Sequence, residues 1–337
     1  MKKSGGIVAR LPWAVVVCAL LVTPAVVSNP YIISIMVFIA LYGVLAVGMG
    51  ALMGQAGLFS LIQPTWFGIG AYVAGILTSR ELVSPVAATI LGAVFVAAVA
   101  FLLGAAVLRL RGLYLACATF GILIIAQIAF VQLEGLTGGH SGLLGIPALS
   151  IGSFKFKRDV HFYYVSWALC LACLLFCRNI VESRVGRAIR ASRDSEAAAS
   201  SLGVNIPLYR LQLFVLTAVM ASLAGSLLCF YLRFVAPDIF GFDLLVEIVL
   251  MAVIGGLGTV WAPLLGSFII TWLHEFLKAY LKHVFPVMTG EVTAVFFGIF
   301  IIAVLIFMPG GLVGWIENFA YLGRKKGPEP SIHGTGD

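Results

Sequence analysis

Long stretches without a charged residue are the feature that most limits how this chain can fold. No Asp, Glu, Lys or Arg occurs from Leu11 to Ser79, and this run is long enough for three membrane-spanning helices of about 20 residues each. Further charge-free stretches follow at Leu82–Leu108, Gly112–Leu133, Val160–Cys177, Leu211–Leu232, Ile248–His274 and Val292–Ile316. Because lipid offers the backbone no hydrogen-bond partners, each stretch must satisfy its peptide groups within a helix. The sequence therefore predicts an all-α fold, a polytopic bundle of transmembrane helices.

The composition supports solvation by lipid. Of the 337 residues, 61% are hydrophobic and only 10% are charged, whereas a soluble globular protein carries about 25% charged residues. The net charge of +7 arises from basic segments between the apolar stretches, as the positive-inside rule describes. No aromatic-interleaved basic patch accompanies it, so we expect the lipid bilayer and no nucleic acid as a partner.

The basic residues also predict the topology, since Lys and Arg concentrate on the cytoplasmic side. We assign to that side Lys2, Lys3, Arg10, Arg109, Arg111, Arg178, the segment 182–210, Arg324, Lys325 and Lys326. Both termini are then cytoplasmic, with residues 1–10 as the N-terminus and 317–337 as a Pro/Gly-rich tail that we expect to be disordered.

Residues 11–316 form the transmembrane domain, and its length fits about ten spans. They are predicted at 12–29, 31–53, 57–79, 84–108, 113–133, 161–181, 211–232, 242–256, 259–281 and 290–309. The third and eighth are short or interrupted by glycine, so about eight full spans with re-entrant pieces remain an alternative.

The segment Glu182–Arg210 is the longest polar stretch in the chain, and we expect it to be a cytoplasmic helix–turn–helix that contacts another protein. It carries Arg184, Arg187, Arg190, Arg193 and Arg210 against Glu182, Asp194 and Glu196. A short helix is predicted at Glu196–Leu202, ended by Gly203, because glycine tolerates the left-handed conformation that follows a helix. An ordinary basic loop is the alternative.

Two glycine-rich regions are expected to break helices at membrane depth, Gly48–Tyr72 and Glu247–Gly266. Irregular backbone is tolerated there only when it is buried in protein or lines a watery cavity, and paired breaks point to a substrate pathway. Close helix packing through small residues is the alternative. The candidate pathway residues are Gly54, Gln55, Gly57, Gln63, Gly255, Gly256 and Gly258.

Several sequence features argue against enzymatic or self-powered function. No GxxxxGK[ST] phosphate loop is present, and no chain of intramembrane acids suggests ion coupling. The histidines lie scattered without a nucleophile–base arrangement. Cys170 and Cys173 fall in an apolar span, where thiols act as small hydrophobes, so we expect neither a metal nor another cofactor. Energy for uphill transport would have to come from a partner.

The segment 182–210 resembles the cytoplasmic motif of ABC importer permeases, in which Glu-Ala-Ala is followed three residues later by Gly. Ala197 takes the place of the Glu, Ala198 and Ala199 those of the alanines, and Gly203 that of the glycine. Other stretches resemble the branched-chain amino acid branch of these permeases, and its LivM type: RLRGLYLACATFG, TGGHSGLLGIP, GRAIRASRDSEAAASSLGVN, VIGGLGTVWAPLLG and FMPGGLVG.

The resemblance implies a permease subunit of an importer for Leu, Ile or Val in a bacterial inner membrane. Its implied partners are a second, LivH-like permease, two cytoplasmic ATPase subunits and a periplasmic substrate-binding protein. ATPase contact is expected at Arg190, Arg193, Ala197, Ala198, Ala199 and Gly203. A related importer for urea, amides or other amino acids remains open, and so does an ion-coupled secondary transporter.

Overall fold

The chain is described by a computed structural model that covers residues 23–24, 29–151, 154–156, 158–194, 205–284 and 298. Within these residues the fold is helical apart from a short antiparallel pair of strands, β1 (Ser150–Ile151) and β2 (Phe154–Lys155). The helices are α1 (Pro30–Gly50), α2 (Gln63–Ser79), α3 (Pro85–Val107), α4 (Leu113–Gln132), α5 (Glu134–Thr137), α6 (Asp159–Glu182), α7 (Arg184–Asp194), α8 (Ile206–Leu232), α9 (Phe242–Gly255) and α10 (Ala262–Val284).

The helices confirm the all-α prediction for the described residues. Five segments of the described ranges are long and apolar enough to cross a membrane: Pro30–Gln55, Pro85–Val107, Leu113–Gln132, Asp159–Glu182 and Ile206–Leu232. The helices at the predicted third and eighth spans are short, with 17 residues in α2 and 14 in α9. The predicted first and tenth spans, 12–29 and 290–309, lie almost wholly outside the described residues. The count of ten and the side of the termini therefore stay predictions.

Proline and small polar caps define where several helices begin. Proline lies in the first turn of α1, α2, α3 and α8, where its missing N–H is not needed. The side chains of Asn29, Ser84 and Asn205 accept hydrogen bonds from the first-turn amides of α1, α3 and α8. These caps satisfy backbone donors that would otherwise face an apolar environment.

Helix α8 forms the centre of the bundle and packs on α1, α2 and α3. In its most apolar stretch 78% of the residues are buried, against 28% in α3 and in α4. The outer surfaces of α3 and α4 instead expose large apolar side chains such as Val94, Leu102 and Ile125. Such a surface suits contact with lipid rather than with water.

The approach of α2 to α8 depends on glycine. A Cβ atom at Gly70 would overlap the backbone of Ser222, and one at Gly225 would overlap the carbonyl oxygen of Phe67. The Ser226 hydroxyl donates a hydrogen bond of 3.1 Å to the Gly70 carbonyl. Small residues and an interhelical hydrogen bond are the usual means of holding helices together when lipid removes the hydrophobic driving force.

The helix ends collect at two opposite ends of the bundle. At one end lie the C-terminal ends of α1 and α6, helix α7, and the turn that joins α9 to α10. At the other end the Arg80 guanidinium donates to the Gly135 carbonyl at 3.2 Å, and Leu143 pairs with Val235 in an isolated β-bridge. We call the first the coupling end and the second the loop end.

Replacing Gly225 by valine is expected to lower the stability of the bundle by about 1–3 kcal/mol, because overpacking would force α2 and α8 apart. Gly121→Val in α4 is the matched control, since a Cβ there meets nothing within 4 Å. Thermal unfolding of the detergent-solubilised protein measures both. Equal losses of stability in the two variants would contradict the close approach.

Candidate functional site

The C-terminal end of α1 leaves regular helix geometry at the coupling end. After Gly50 the chain continues as a π-helix over Ala51–Gln55 and then leaves helical geometry at Gly57, whose φ of +64° is in the left-handed region. A π-turn is wider than an α-turn, and such insertions occur frequently at functional sites. The first predicted break is therefore present, and it turns the chain toward the start of α2.

The second predicted break lies directly against the first. Helix α9 ends at Gly255, Gly256 has a φ of +117°, and α10 begins at Ala262. A Cβ atom at Gly54 would overlap the carbonyl oxygen of Leu257, so backbone meets backbone here. The Gln55 side-chain amide also donates to the Gly258 carbonyl at 3.4 Å.

Two arginines of α7 bind the first break. Arg190 donates from Nη1 to the Gln55 side-chain oxygen at 3.2 Å and to the Val181 carbonyl at 2.8 Å. Arg193 donates to the Gly54 carbonyl, and a Cβ atom at Gly57 would lie 3.3 Å from its Cγ. The last carbonyls of a helix lack intrahelical donors and carry partial negative charge. A guanidinium supplies both the missing hydrogen-bond donors and a compensating positive charge.

These contacts join residues that the sequence assigned to two separate roles. Arg190 and Arg193 were predicted to contact an ATPase, whereas Gly54, Gln55 and Gly57 were predicted to line a pathway. In the structure they form one cluster, which we call the arginine link: Gly54, Gln55, Gly57, Val181, Arg190 and Arg193. Gly258 lies beside it through its bond to Gln55.

The glycines of the two breaks have different physical roles. Gly54 and Gly255 permit close packing, since a Cβ at Gly255 would overlap the carbonyl oxygen of Ala262. Gly57 and Gly256 supply positive φ values that other residues rarely adopt. Gly258 has open space where its Cβ would be. The packing alternative thus accounts for Gly54 and Gly255 and leaves the other three for a different explanation.

Gln63 lies away from the arginine link, at the start of α2. Its side chain is fully buried, and among the described residues neither amide atom has a hydrogen-bond partner. A Cβ atom at Gly48 of α1 would be 3.4 Å from its Nε2. An unsatisfied buried amide is costly, which is why it marks a place where water or a ligand is expected.

The predicted ATPase-contact residues Ala197, Ala198, Ala199 and Gly203 lie outside the described residues, as does Glu196. What the structure describes is the helix before them, α7, which ends at Asp194. The short helix predicted at Glu196–Leu202 also lies outside the described residues, so the helix–turn–helix stays a prediction.

Sequence reasoning missed the backbone partners in this site. The carbonyls of Val181 and Leu257 take part through main-chain atoms, which residue type does not reveal. The only signal in the sequence was position, since Val181 precedes the arginine-rich helix and Leu257 lies in the glycine run.

Comparison with known proteins places the chain in a family. A family profile described as the permease component of a branched-chain amino acid transport system matches residues 31–307. The chain belongs to this permease family. That range contains the described helices α2–α10, both breaks and the arginine link, and the resemblance found in the sequence is confirmed.

Individual relatives of both permease types align with the chain. The LivM permease protein of Escherichia coli is 26% identical over 81% of this chain and 68% of its own length, and that of Salmonella typhimurium is 27% identical over the same shares. The LivH permease protein of Salmonella typhimurium is 27% identical over 81% of this chain and 91% of its own length. No solved structure matches this permease at a comparable level.

Three of the five stretches that carried the resemblance contain turns or breaks within the described part of the chain. The stretch at 109–121 contains the turn before α4, where Gly112 has a φ of +55°, and the stretch at 137–147 forms a loop with four glycines at positive φ. The stretch at 253–266 is the second break. At these glycines a positive φ, a close approach of other backbone, or both restrict the residue type.

The link between Arg190 and Gln55 is expected to show an interaction free energy of about 1.5–3 kcal/mol in a double-mutant cycle, the range for a hydrogen bond to a charged group. The variants are Arg190→Met, Gln55→Leu and the pair, compared by unfolding of the purified permease. Arg187→Met with Gln55→Leu is the matched control, since Arg187 donates to the Glu182 carbonyl instead. Equal values in the two cycles would contradict the link.

Proposed function

We propose that this permease is one of two membrane-spanning subunits of an ATP-driven importer that carries Leu, Ile or Val across a bacterial inner membrane. Its partners would be a LivH-like second permease, two cytoplasmic ATPase subunits and a periplasmic substrate-binding protein. The chain itself would hydrolyse nothing, and the energy would come from the ATPases. Family membership supports this class of transport system.

The observation that carries the mechanism is the arginine link. A helix predicted to face the ATPases is hydrogen-bonded through Arg190 and Arg193 to the broken end of α1. Coupling between distant sites travels through packed and hydrogen-bonded elements with more than one arrangement. Movement of α7 on ATP binding would therefore reach α1 without passing through a flexible loop.

The two breaks would convert that movement into opening and closing of a pathway. Gly57 and Gly256 lie where the chain leaves α1 and α9, and residues at element ends are the ones that absorb backbone rotation in hinge motions. Because Gly54 contacts the Leu257 backbone directly, a shift of one break would displace the other. This arrangement supports alternating access with the breaks as hinges.

The pathway itself would be lined by Gly54, Gln55, Gly57, Gln63, Gly255, Gly256 and Gly258. A branched-chain amino acid is a zwitterion with an apolar side chain, so amides and backbone dipoles suit it better than fixed charges do. Gln63 supports this assignment, because its buried amide has both donor and acceptor capacity unused within the described residues. Helix ends at the breaks would supply further dipoles.

Reconstituted uptake tests the proposed class. Proteoliposomes containing this permease with its LivH-like partner, the ATPases and the binding protein are expected to accumulate labelled leucine only when ATP is present. Collapse of the proton gradient should leave uptake unchanged. Uptake without ATP but with a proton gradient would instead show an ion-coupled transporter, and competition by urea or amides but not by valine would change the substrate class.

Contact with the ATPases is tested at Gly203. Gly203→Arg is expected to abolish copurification of the ATPase subunits and leucine uptake, because a long charged side chain would block a low-relief docking surface. Gly135→Arg at the loop end, where a Cβ meets nothing within 4 Å, is the matched control for copurification. If the ATPases remain bound to the Gly203 variant and uptake persists, the docking surface lies elsewhere.

A further inference from the structure

A cavity of about 400 Å³ lies at the coupling end, between the last turns of α6, helix α7 and the turn from α9 to α10. Among the residues that the structure describes, three charged side chains line it, Arg178, Glu182 and Arg190, together with Gln55 of the arginine link. Apolar walls are supplied in part by Leu175 and Trp261. The cavity thus combines a polar end with an apolar side.

The charged end of the cavity favours an anion. Arg178 donates from Nε to the Glu182 carboxylate at 2.7 Å, so one positive charge is balanced and Arg190 contributes the second. In the described part of the chain both hydrogen bonds of Arg190 come from Nη1, although a guanidinium has five N–H donors. Planar, forked donors of this kind suit a phosphate group.

The surface around the cavity places it at the boundary between lipid and water. Leu175 and Phe176 are 49% and 54% exposed on α6, one turn before Arg178. On α10, Leu265 is 43% exposed one turn after Trp261, which is itself 40% exposed. Tryptophan is enriched at membrane interfaces, and basic side chains near the membrane surface attract anionic lipid headgroups. The charged end of the cavity therefore adjoins exposed apolar side chains, as a site for a lipid requires.

We propose that this cavity binds the headgroup of an anionic phospholipid from the inner leaflet, with the phosphate at Arg178 and Arg190 and an acyl chain along Leu175 and Leu265. Arg190 would then touch both the lipid and Gln55, so the headgroup would lie directly against the arginine link. The proposal rests on the proposed function only for the side of the membrane on which α7 lies.

Native mass spectrometry of the purified full-length permease tests the site by counting bound phosphatidylglycerol during a lipid titration. Arg178→Gln is expected to weaken binding about fivefold, the effect of one basic residue near an anionic membrane surface. The matched control is Arg184→Gln, which removes the same charge from an exposed position of α7 that does not line the cavity. It should bind as the unmodified permease does.

Glu182→Gln separates this ligand from a zwitterionic amino acid. Removal of the carboxylate should tighten phosphatidylglycerol binding, whereas an amino-acid site would lose the partner of the ammonium group. The proposal would be overturned if Arg178→Gln and Arg184→Gln weakened phosphatidylglycerol binding equally, or if phosphatidylcholine bound as well as phosphatidylglycerol. Full displacement of the lipid by inorganic phosphate would also overturn it. So would displacement by leucine together with weaker binding in the Glu182→Gln variant. Because no transport is measured, the outcome is independent of the uptake experiments.

Discussion

Helix ends inside a membrane protein expose carbonyl groups that have no intrahelical hydrogen-bond donor. At the coupling end, side chains of α7 donate hydrogen bonds to such carbonyls at the ends of two other helices. Arg190 binds the Val181 carbonyl in the last turn of α6, and Arg193 binds the Gly54 carbonyl at the end of α1. Each hydrogen bond to a charged donor contributes about 1.5–3 kcal/mol. The position of α7 is therefore fixed by the same groups that terminate two membrane helices.

Close backbone contact extends this constraint to the second break. Gly54 allows the end of α1 to approach Leu257, and Gln55 bridges to Gly258. A side chain at position 54 would separate the two segments, so the contact exists only because glycine is there. The result is a continuous physical path from a polar surface helix to two interrupted membrane helices, which is what a subunit driven by an external ATPase requires.

Much of the bundle followed from the sequence, because the length of an apolar, charge-free stretch nearly determines a transmembrane helix. The predicted spans 84–108 and 113–133 correspond closely to α3 (Pro85–Val107) and α4 (Leu113–Gln132). The breaks were also predictable, since glycines supply the positive φ values and close approaches observed there. Helix α8 begins at Ile206, earlier than the predicted start at 211, because Asn205 caps it within the polar segment.

The arginine link could not be predicted from the sequence. Arg190 and Gln55 are distant along the chain, and charge patterning indicates only that an arginine lies outside the lipid, not which carbonyl it binds. The cavity beside Trp261 likewise depends on how α6, α7 and α10 meet. Residues 195–204, which carry the predicted ATPase motif, lie outside the described part of the chain, so that assignment stays a prediction.

If the arginine link joins α7 rigidly to the end of α1, the two move as one unit. Electron–electron distance measurements between spin labels test this directly, with one label at Arg184 on α7 and one at Met53, a partly buried residue of the π-helix before Gly57. In the assembled importer, this distance should stay the same with and without ATP, while the distance from Arg184 to exposed Leu113 of α4 changes. A nucleotide-dependent shift between positions 184 and 53 would contradict rigid coupling.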